Sequence, residues 1–443
     1  MSVDLELSPR AARGAARASR IVRARPAGWR PADRRPTGWR LSGRPAMYLL
    51  ASLIVSLLAA SAAPTPLYAI YQADWGFTPI TTTIVFGVYA VAVLAALLTL
   101  GRLSDYVGRR PVLLAALAVQ AASLLVFAAA DGVPELLAAR VIQGLSTGAA
   151  LGAIGAGMLD IDRERGALAN AAAPGMGTGS GALLSALAVR YLPAPTHLIY
   201  LALLGVLAVQ ALGVAVMRET VTRSPGAASA LVPEIRLPRT VRAHVLTAAP
   251  VLFAVWALAG LYAALGPALV RALTGSASEV LGGLSLTVLA ATAVAAVLLL
   301  RDASAHAVMI TGIVALIGGV AITLLALTVK SPALFFAGTV VSGVGFGSGF
   351  QGGIRTVVPR AAAHERAGVL SLLFIISYLG LGLPAVAAGF RIVHGGGLVG
   401  TARDYGVAVV LLALLAAGGL LRTGRRTGER TGLRTGRSVQ SGS

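Results

Sequence analysis

Hydrophobic residues along this chain form long runs that are separated by short polar stretches. The hydrocarbon core of a bilayer takes about 20 consecutive apolar residues as a helix, and twelve runs between residues 47 and 421 meet that length. The runs are residues 47–67, 80–100, 111–130, 134–158, 167–189, 196–217, 245–268, 278–300, 306–329, 332–354, 367–390 and 404–421. We therefore predict an all-α polytopic membrane protein with twelve transmembrane helices.

The composition narrows the class of protein. The chain of 443 residues is 56% hydrophobic and 12% charged, which is far more apolar than a soluble domain. Alanine, leucine and glycine outnumber the aromatic residues, which favours close helix packing in lipid over a β-barrel. There is no cysteine, so disulfides and thiolate metal sites are excluded, and we predict neither a metal site nor a cofactor.

The positive charges predict the orientation in the membrane. A net charge of +20 would suit nucleic acid if the arginines formed one patch, but most lie in the two tails and in loops. We therefore expect no nucleic-acid partner. Without the tails, fourteen arginines fall on one side of the predicted membrane and five arginine and lysine residues on the other. Because arginine-rich loops stay in the cytosol, we expect both termini there, in a bacterial inner membrane.

The chain also carries an internal repeat. "GTGSGALLSALAVR" at 177–190 aligns with "YLGLGLPAVAAGFR" at 378–391 when every position is shifted by 201, so that Gly179 meets Gly380. Parallel repeats of this kind occur in transporters, with the substrate site between the halves. We predict five parts. They are an arginine-rich disordered cytosolic tail (1–46), a six-helix bundle (47–217), a cytosolic linker (218–244), a second pseudo-symmetric six-helix bundle (245–421) and a second arginine-rich disordered cytosolic tail (422–443).

A charged, glycine-containing stretch, "GRLSDYVGRRP" at 101–111, lies between the second and third runs. Its two glycines permit a tight reversal of the chain. Asp105 precedes Arg109 by four residues, the favourable order for an ion pair on a helix. The stretch resembles the loop signature G-x-L-x-D-x-x-G-R-R/K of the major facilitator superfamily, on Gly101, Leu103, Asp105, Gly108, Arg109 and Arg110.

The resemblance implies a role for this stretch, which we call the gate loop (residues 101–111). In that family the loop latches the two halves of the protein, so Asp105 is expected to act as a conformational gate rather than as a substrate ligand. The alternative interpretation is a positively charged cytosolic loop with no further role.

The fourth run contains a second motif. "RVIQGLSTGAALG" at 140–152 resembles the family signature R-x-x-Q-G-x-x-x-G. Arg140, Gln143 and Thr147 are candidates for contact with the substrate or a coupling ion, whereas Gly144 and Gly148 suit close helix packing. An arginine inside a span costs about 2.5 to 3.5 kcal/mol unless it faces protein or water, so we expect Arg140 to face the interior. The alternative is that its side chain extends to the outer interface.

The fifth run reads "NAAAPGMGTGSG" at 170–181. It is similar to the motif G-x-x-x-G-P-x-x-G-G of drug/proton antiporters, although the order of proline and glycine differs. A kinked helix with a close-packing face explains the same residues equally well. The residues concerned are Pro174, Gly175, Gly179 and Gly181.

By resemblance, runs 1, 4, 7 and 10 line the central cavity. The further substrate candidates there are Trp256, Tyr262, Phe346 and Gln351, and Gln351 suits a ligand and a helix contact equally. Tyr68 lies at a depth typical of interfacial tyrosines. Gly266-Pro267 predicts a helix break.

We predict a secondary transporter that moves a small hydrophobic or amphipathic molecule by alternating access, in the direction of efflux. Two alternatives stay open, a transporter-like sensor or scaffold without flux and an uptake symporter for a small metabolite. Asp160 and Asp162 lie on different helical faces with no nearby histidine, so we predict no enzyme. No G-x-x-x-x-G-K-S/T phosphate loop is present, which argues against ATP-driven transport. We expect a monomer in the lipid bilayer, with a proton as the candidate coupling ion although no acid lies at mid-membrane.

Overall fold

The computed structural model describes residues 40–440 except 277 and 363, and the side chains of residues 40–421. The predicted first tail falls largely on residues 1–39, which lie outside the described residues, as do 441–443. The α-helices are α1 (Arg44–Ala62), α2 (Pro64–Trp75), α3 (Pro79–Leu100), α4 (Leu103–Val107), α5 (Arg109–Ala128), α6 (Val133–Ile161), α7 (Arg163–Tyr191), α8 (Pro195–Val216), α9 (Arg242–Thr274), α10 (Glu279–Leu299), α11 (Ala305–Val329), α12 (Pro332–Val357), α13 (Arg366–Arg391) and α14 (Leu398–Gln440).

The predicted all-α fold is confirmed. Within the described residues, the only strand-like pairing is an isolated bridge between Leu41 and Met217, which ties the entrance of α1 to the exit of α8. Eleven helices in this part of the chain are long and apolar enough to cross a membrane by length and composition. The remaining long helix, α7, has 29 residues and is less apolar because glycine, serine and threonine replace larger side chains along it.

Buried hydrophobic side chains form two clusters. One draws on α1 to α8. The other draws mainly on α9 to α14 but takes in residues of α1, α3 and α7. Large apolar side chains on the outer helices, such as Leu212, Leu299 and Leu415, are mostly exposed, as expected for a surface that faces lipid.

Proline shapes the first span but does not break the seventh. The first apolar run divides at Ala63, where α1 ends and α2 begins with Pro64 and Pro66. The predicted break at Gly266-Pro267 is wrong, because α9 continues through Pro267 to Thr274. Membrane helices tolerate proline where neighbouring helices pack closely, and here Pro267 lies against Gly282 of α10.

Glycines let several helices approach each other closely. Gly144 and Gly148 place the backbone of α6 against α3, at Ala92 and Ala96. A Cβ atom at either glycine would collide with α3, so a larger residue would push these helices apart. This contact brings Arg140, at the start of the same helix face, next to the aromatic residues of α3.

Candidate substrate site and gate loop

Arg140 lies in the second turn of α6 and is buried. Only 1% of its surface is exposed, so the guanidinium does not extend to the outer interface. Its Nε and Nη2 donate to the hydroxyl of Tyr68, at 3.1 and 2.6 Å. Its Nη1 donates to the carbonyl of Ser61 at 2.9 Å and to Oε1 of Gln143 at 2.7 Å. Four hydrogen bonds to neutral acceptors therefore hold the cation in place.

Aromatic rings complete the surroundings of this cation. The guanidinium carbon lies 5.8, 5.2 and 5.7 Å from the ring centroids of Tyr68, Tyr89 and Phe127. Such contacts stabilise a cation electrostatically but supply no negative charge. Among the ion pairs formed by residues 40–421, none includes Arg140.

The other candidates on α6 lie beside Arg140. Gln143 is fully buried, and its Nε2 donates to the carbonyl of Ala60 at 3.1 Å, so the side chain bridges α6 and α1. Thr147 follows one turn later and is also fully buried, and its side chain contacts the hydroxyl of Tyr89. We call Tyr68, Tyr89, Arg140, Gln143 and Thr147 the Arg140 site.

Tyr68 corrects an expectation drawn from the sequence. It is 4% exposed and faces Arg140 instead of the membrane interface. The division of the first span at Ala63 starts a new helix whose first turns carry Tyr68 inward. Tyr71 is buried as well, and its hydroxyl lies 3.1 Å from that of Tyr200.

A second candidate site lies in the other half of the chain. Trp256 of α9 packs against Phe346 and Phe350 of α12, with centroid distances of 6.2 and 5.5 Å, and against Tyr378 of α13 at 5.0 Å. The indole N–H of Trp256 is buried without a hydrogen-bond partner, as is Oε1 of the neighbouring Gln351. We call Trp256, Phe346, Phe350 and Tyr378 the aromatic cluster.

Tyr262 lies apart from that cluster. Its hydroxyl is 3.0 Å from Thr339 and 3.4 Å from Thr323, and its ring packs on Phe335. These partners belong to α11 and α12, so Tyr262 contributes to the packing of α9 within its own half.

The gate loop contains a network of charges centred on Arg109. Only 6% of Arg109 is exposed, and its guanidinium pairs with Asp105, with the Ser104 hydroxyl at 2.7 Å and with Asp160 of α6 at 3.2 Å. Gly108 adopts a φ of 106°, a backbone conformation that favours glycine, and thereby separates α4 from α5. The loop is thus fastened to the end of α6.

A match to a family sequence model identifies the family of this chain. A model of the Major Facilitator Superfamily matches residues 48–385, which is most of the chain. The chain belongs to the Major Facilitator Superfamily.

Sequence and structure comparisons agree with this assignment. The chain is 40% identical over 74 residues to an "Uncharacterized transporter" from Rickettsia bellii (strain RML369-C), and this match spans 16% of the chain and 18% of that relative. The crystal structure of a mutant of the nucleoside transporter NupG shares its fold, with a TM-score of 0.64 and 13% identity over 84% of this chain and 99% of NupG. The human organic anion transporter MFSD10 (TETRAN) gives a TM-score of 0.60 with 19% identity, over 84% and 98%.

As a member of the Major Facilitator Superfamily, the chain is a multi-pass membrane protein. Small residues line the contacts of α7 with α10. Gly175 and Gly179 of α7 meet Ala290 of α10, and the Thr287 hydroxyl donates to the Gly179 carbonyl at 3.0 Å. Gly181, in contrast, faces Ala59 of α1 in the same half. Pro174 lies inside the uninterrupted α7.

A matching contact joins α3 to α13. There Gly87 meets Val386, Gly382 meets Ala90, and Gly389 meets Thr83. We call the α7–α10 and α3–α13 contacts the two seams.

Acidic residues of the linker are part of the gate network, and no pattern in the sequence indicates them. The carboxylate of Glu219 accepts from the backbone N–H groups of Arg109 and Arg110 at 2.8 and 3.0 Å, at the start of α5. Arg102 pairs with Glu234 at 2.6 Å, and Glu234 also pairs with Arg236 at 2.8 Å. The gate loop therefore contacts the linker near its start, at Glu219, and in its second half, at Glu234.

Proposed function

We propose that this transporter exports small hydrophobic or amphipathic molecules by alternating access. The observation that supports the proposal is the placement of two sites on opposite halves of the chain. The Arg140 site is carried by α2, α3 and α6, and the aromatic cluster by α9, α12 and α13. Tyr89 is adjacent to Ala90, which contacts Gly382 one turn after Tyr378, so the two sites approach each other at the α3–α13 contact.

The chemistry of these sites suits an amphipathic substrate. Aromatic rings supply a large apolar contact area, and a few buried polar groups fix the orientation of a ligand. The two solved structures are named for different substrates on the same fold, so the residues of the site are the better guide to the substrate.

The seams are consistent with a rocking motion of the two halves. Glycine and alanine contacts present flat backbone surfaces, so few side chains need to change rotamer when the halves separate. The gate loop offers the second element of a two-state switch, because its ion pairs join α5, α6 and the linker and can exchange partners. Alternating access needs both a closed and an open form of each face.

Efflux is the direction that suits apolar substrates. A molecule that dissolves in lipid enters cells without a carrier, and a transporter changes its steady-state concentration mainly by expelling it. We expect the gate loop to face the cytosol in this cycle, as its arginines indicate.

Accumulation of lipophilic dyes in bacteria that lack their main exporters tests the proposal. Cells with the wild type should hold much less Nile red or other lipophilic dye than cells with an empty vector. Trp256→Ala, which removes the central ring of the aromatic cluster, should reduce this difference, whereas Arg391→Gln, which removes an exposed ion pair with Asp404, should preserve it. If the wild type matches the vector at equal membrane expression, the transport proposal fails. Greater accumulation in wild-type cells would replace efflux by uptake.

A further inference from the structure

Arg140 is a buried positive charge without a negative partner. A charged side chain inside a membrane span costs up to about 2.5 to 3.5 kcal/mol on insertion scales, and pairing is the usual compensation. The acids nearest in sequence, Asp131 and Glu135, are exposed and form no ion pair with it. The side chains of the Arg140 site therefore carry a net positive charge.

The guanidinium also keeps a free donor. Arginine has five N–H groups, and four of them donate to Tyr68, Ser61 and Gln143. The remaining N–H is on Nη2, and the guanidinium carbon lies within 5.8 Å of three aromatic ring centroids. An anion that accepts a hydrogen bond from this N–H would also neutralise the charge of Arg140. Hydrogen bonds between charged groups are stronger than those between neutral groups.

An unpartnered polar atom in the aromatic cluster indicates a ligand that contacts the cluster. The indole N–H of Trp256 is buried and lacks a hydrogen-bond partner. Buried polar atoms are rarely left unsatisfied, and those that are often mark a site that a missing group completes. Trp256 belongs to the aromatic cluster, so a ligand whose aromatic body packs there lies beside this N–H.

We propose that the Arg140 site binds the anionic group of the transported molecule, so that the substrates are amphipathic anions such as aromatic carboxylates. The carboxylate accepts from Nη2 of Arg140, and the aromatic body packs against the aromatic cluster. This proposal names the substrate class of the proposed transporter. That such anions are transported rests on the proposed function, whereas their binding does not. Binding is tested separately from transport.

Equilibrium binding to the purified full chain in lipid nanodiscs tests the charge preference. The probes are 2-naphthoate and 2-naphthalenemethanol, which differ in charge but have nearly the same aromatic body. We expect the wild type to bind naphthoate at least about tenfold more tightly, which corresponds to about 1.4 kcal/mol. Equal affinities for the two probes would overturn the proposal, and this comparison needs no variant.

Variants then assign the preference to Arg140. Arg140→Gln should remove it, with little change in the affinity for the alcohol, and Arg140→Lys should retain part of it because the charge stays. Arg391→Gln, which replaces an exposed arginine at the end of α13, should keep the full preference. A folded Arg140→Gln protein that still prefers naphthoate would contradict the assignment.

Proteoliposome flux separates failure of this inference from failure of the proposed function. Each rate is compared with the passive rate in protein-free liposomes. If the protein accelerates both probes equally, the transport function holds and the anionic substrate class is wrong. If naphthoate binds with the expected preference but the protein accelerates neither probe, the anion site is correct and the transport function is wrong.

Discussion

Arg109 and Arg140 are both almost fully buried, and they differ in what balances their charge. Arg109 meets two acids, Asp105 and Asp160, at the gate loop. Arg140 meets a phenol, an amide and a carbonyl oxygen, all of them neutral. Both arginines make several hydrogen bonds, so hydrogen-bond satisfaction alone does not distinguish a structural arginine from one that awaits a ligand.

The difference teaches where each arginine can act. The gate network is electrically complete within the chain, so a change of state there must exchange one protein partner for another. The Arg140 site becomes complete only when a negative charge arrives from outside. A conformational role therefore fits Arg109, and a binding role fits Arg140.

Gln143→Glu should have the largest effect, because it gives Arg140 the acid that Arg109 already has. The Gln143 amide oxygen lies 2.7 Å from Nη1, so a carboxylate at that position would pair with the guanidinium. We expect naphthoate affinity to fall by about tenfold or more, the equivalent of about 1.4 kcal/mol, as binding to nanodiscs would measure. Affinity for 2-naphthalenemethanol should change much less.

Gln143→Leu is the matched control for that substitution. It removes the same amide without adding a charge, so the preference for naphthoate should persist. Should folded Gln143→Glu protein keep its wild-type affinity for naphthoate, the distinction between the two arginines would be lost.

Loss of one acid at the gate should have an intermediate effect. Asp160→Asn removes a partner of Arg109 that also accepts from the Thr220 hydroxyl, whereas the side chain of Asp105 is half exposed. Partly solvated pairs contribute up to about 1 kcal/mol, so we expect the flux of naphthoate in proteoliposomes to change by up to about fivefold. Its equilibrium affinity should stay the same.

Asp105→Asn is the companion variant. We expect it to change the flux of naphthoate less than Asp160→Asn does, because more of the charge of Asp105 is hydrated. A loss of naphthoate affinity in Asp160→Asn that equals the loss of flux would show that the gate and the binding site are not separate.

The helices were predictable because their apolar runs are local features of the sequence. The proximity of Arg140 and Gln143 follows in the same way from their spacing of three residues on one helix. Tyr262 was harder to place, since it follows Trp256 by only six residues and yet points to a different face of α9. Hydropathy does not tell which face of a helix turns toward the cavity.

Contacts between distant parts of the chain could not be predicted from the sequence. Glu219 reaches the gate loop across 110 positions, and no local pattern marks a charged linker residue as a helix cap. The repeat at a shift of 201 pairs Gly179 with Gly380, but Gly179 faces α10 of the other half whereas Gly380 faces Phe253 of α9. Sequence similarity located the related helices, and only packing shows which glycines have equivalent contacts.

Glu219→Ala should have a smaller effect, limited to stability. The carboxylate caps the first turn of α5, and loss of a cap costs about 0.5 to 2 kcal/mol. We expect a lower thermal midpoint in detergent, while Glu219→Gln, which keeps one acceptor oxygen, should fall between Glu219→Ala and the wild type. An unchanged midpoint in Glu219→Ala would mean that the cap does not stabilise the loop.

Ionic strength should give the smallest effect and the most direct contrast between the two regions. The side chain of Arg102 is 39% exposed in its pair with Glu234, so dissolved ions reach it. These ions screen the pair more strongly at high salt, because the Debye length shrinks from about 10 Å at 0.1 M salt to about 3 Å at 1 M. The difference in thermal midpoint between Arg102→Gln and the wild type should therefore be small in dilute buffer and vanish in concentrated potassium gluconate. Arg140 is shielded from those ions, so the difference in naphthoate preference between Arg140→Gln and the wild type should persist under the same conditions. If salt abolished both differences alike, Arg140 would be accessible to bulk ions, and its charge would need no partner from the substrate.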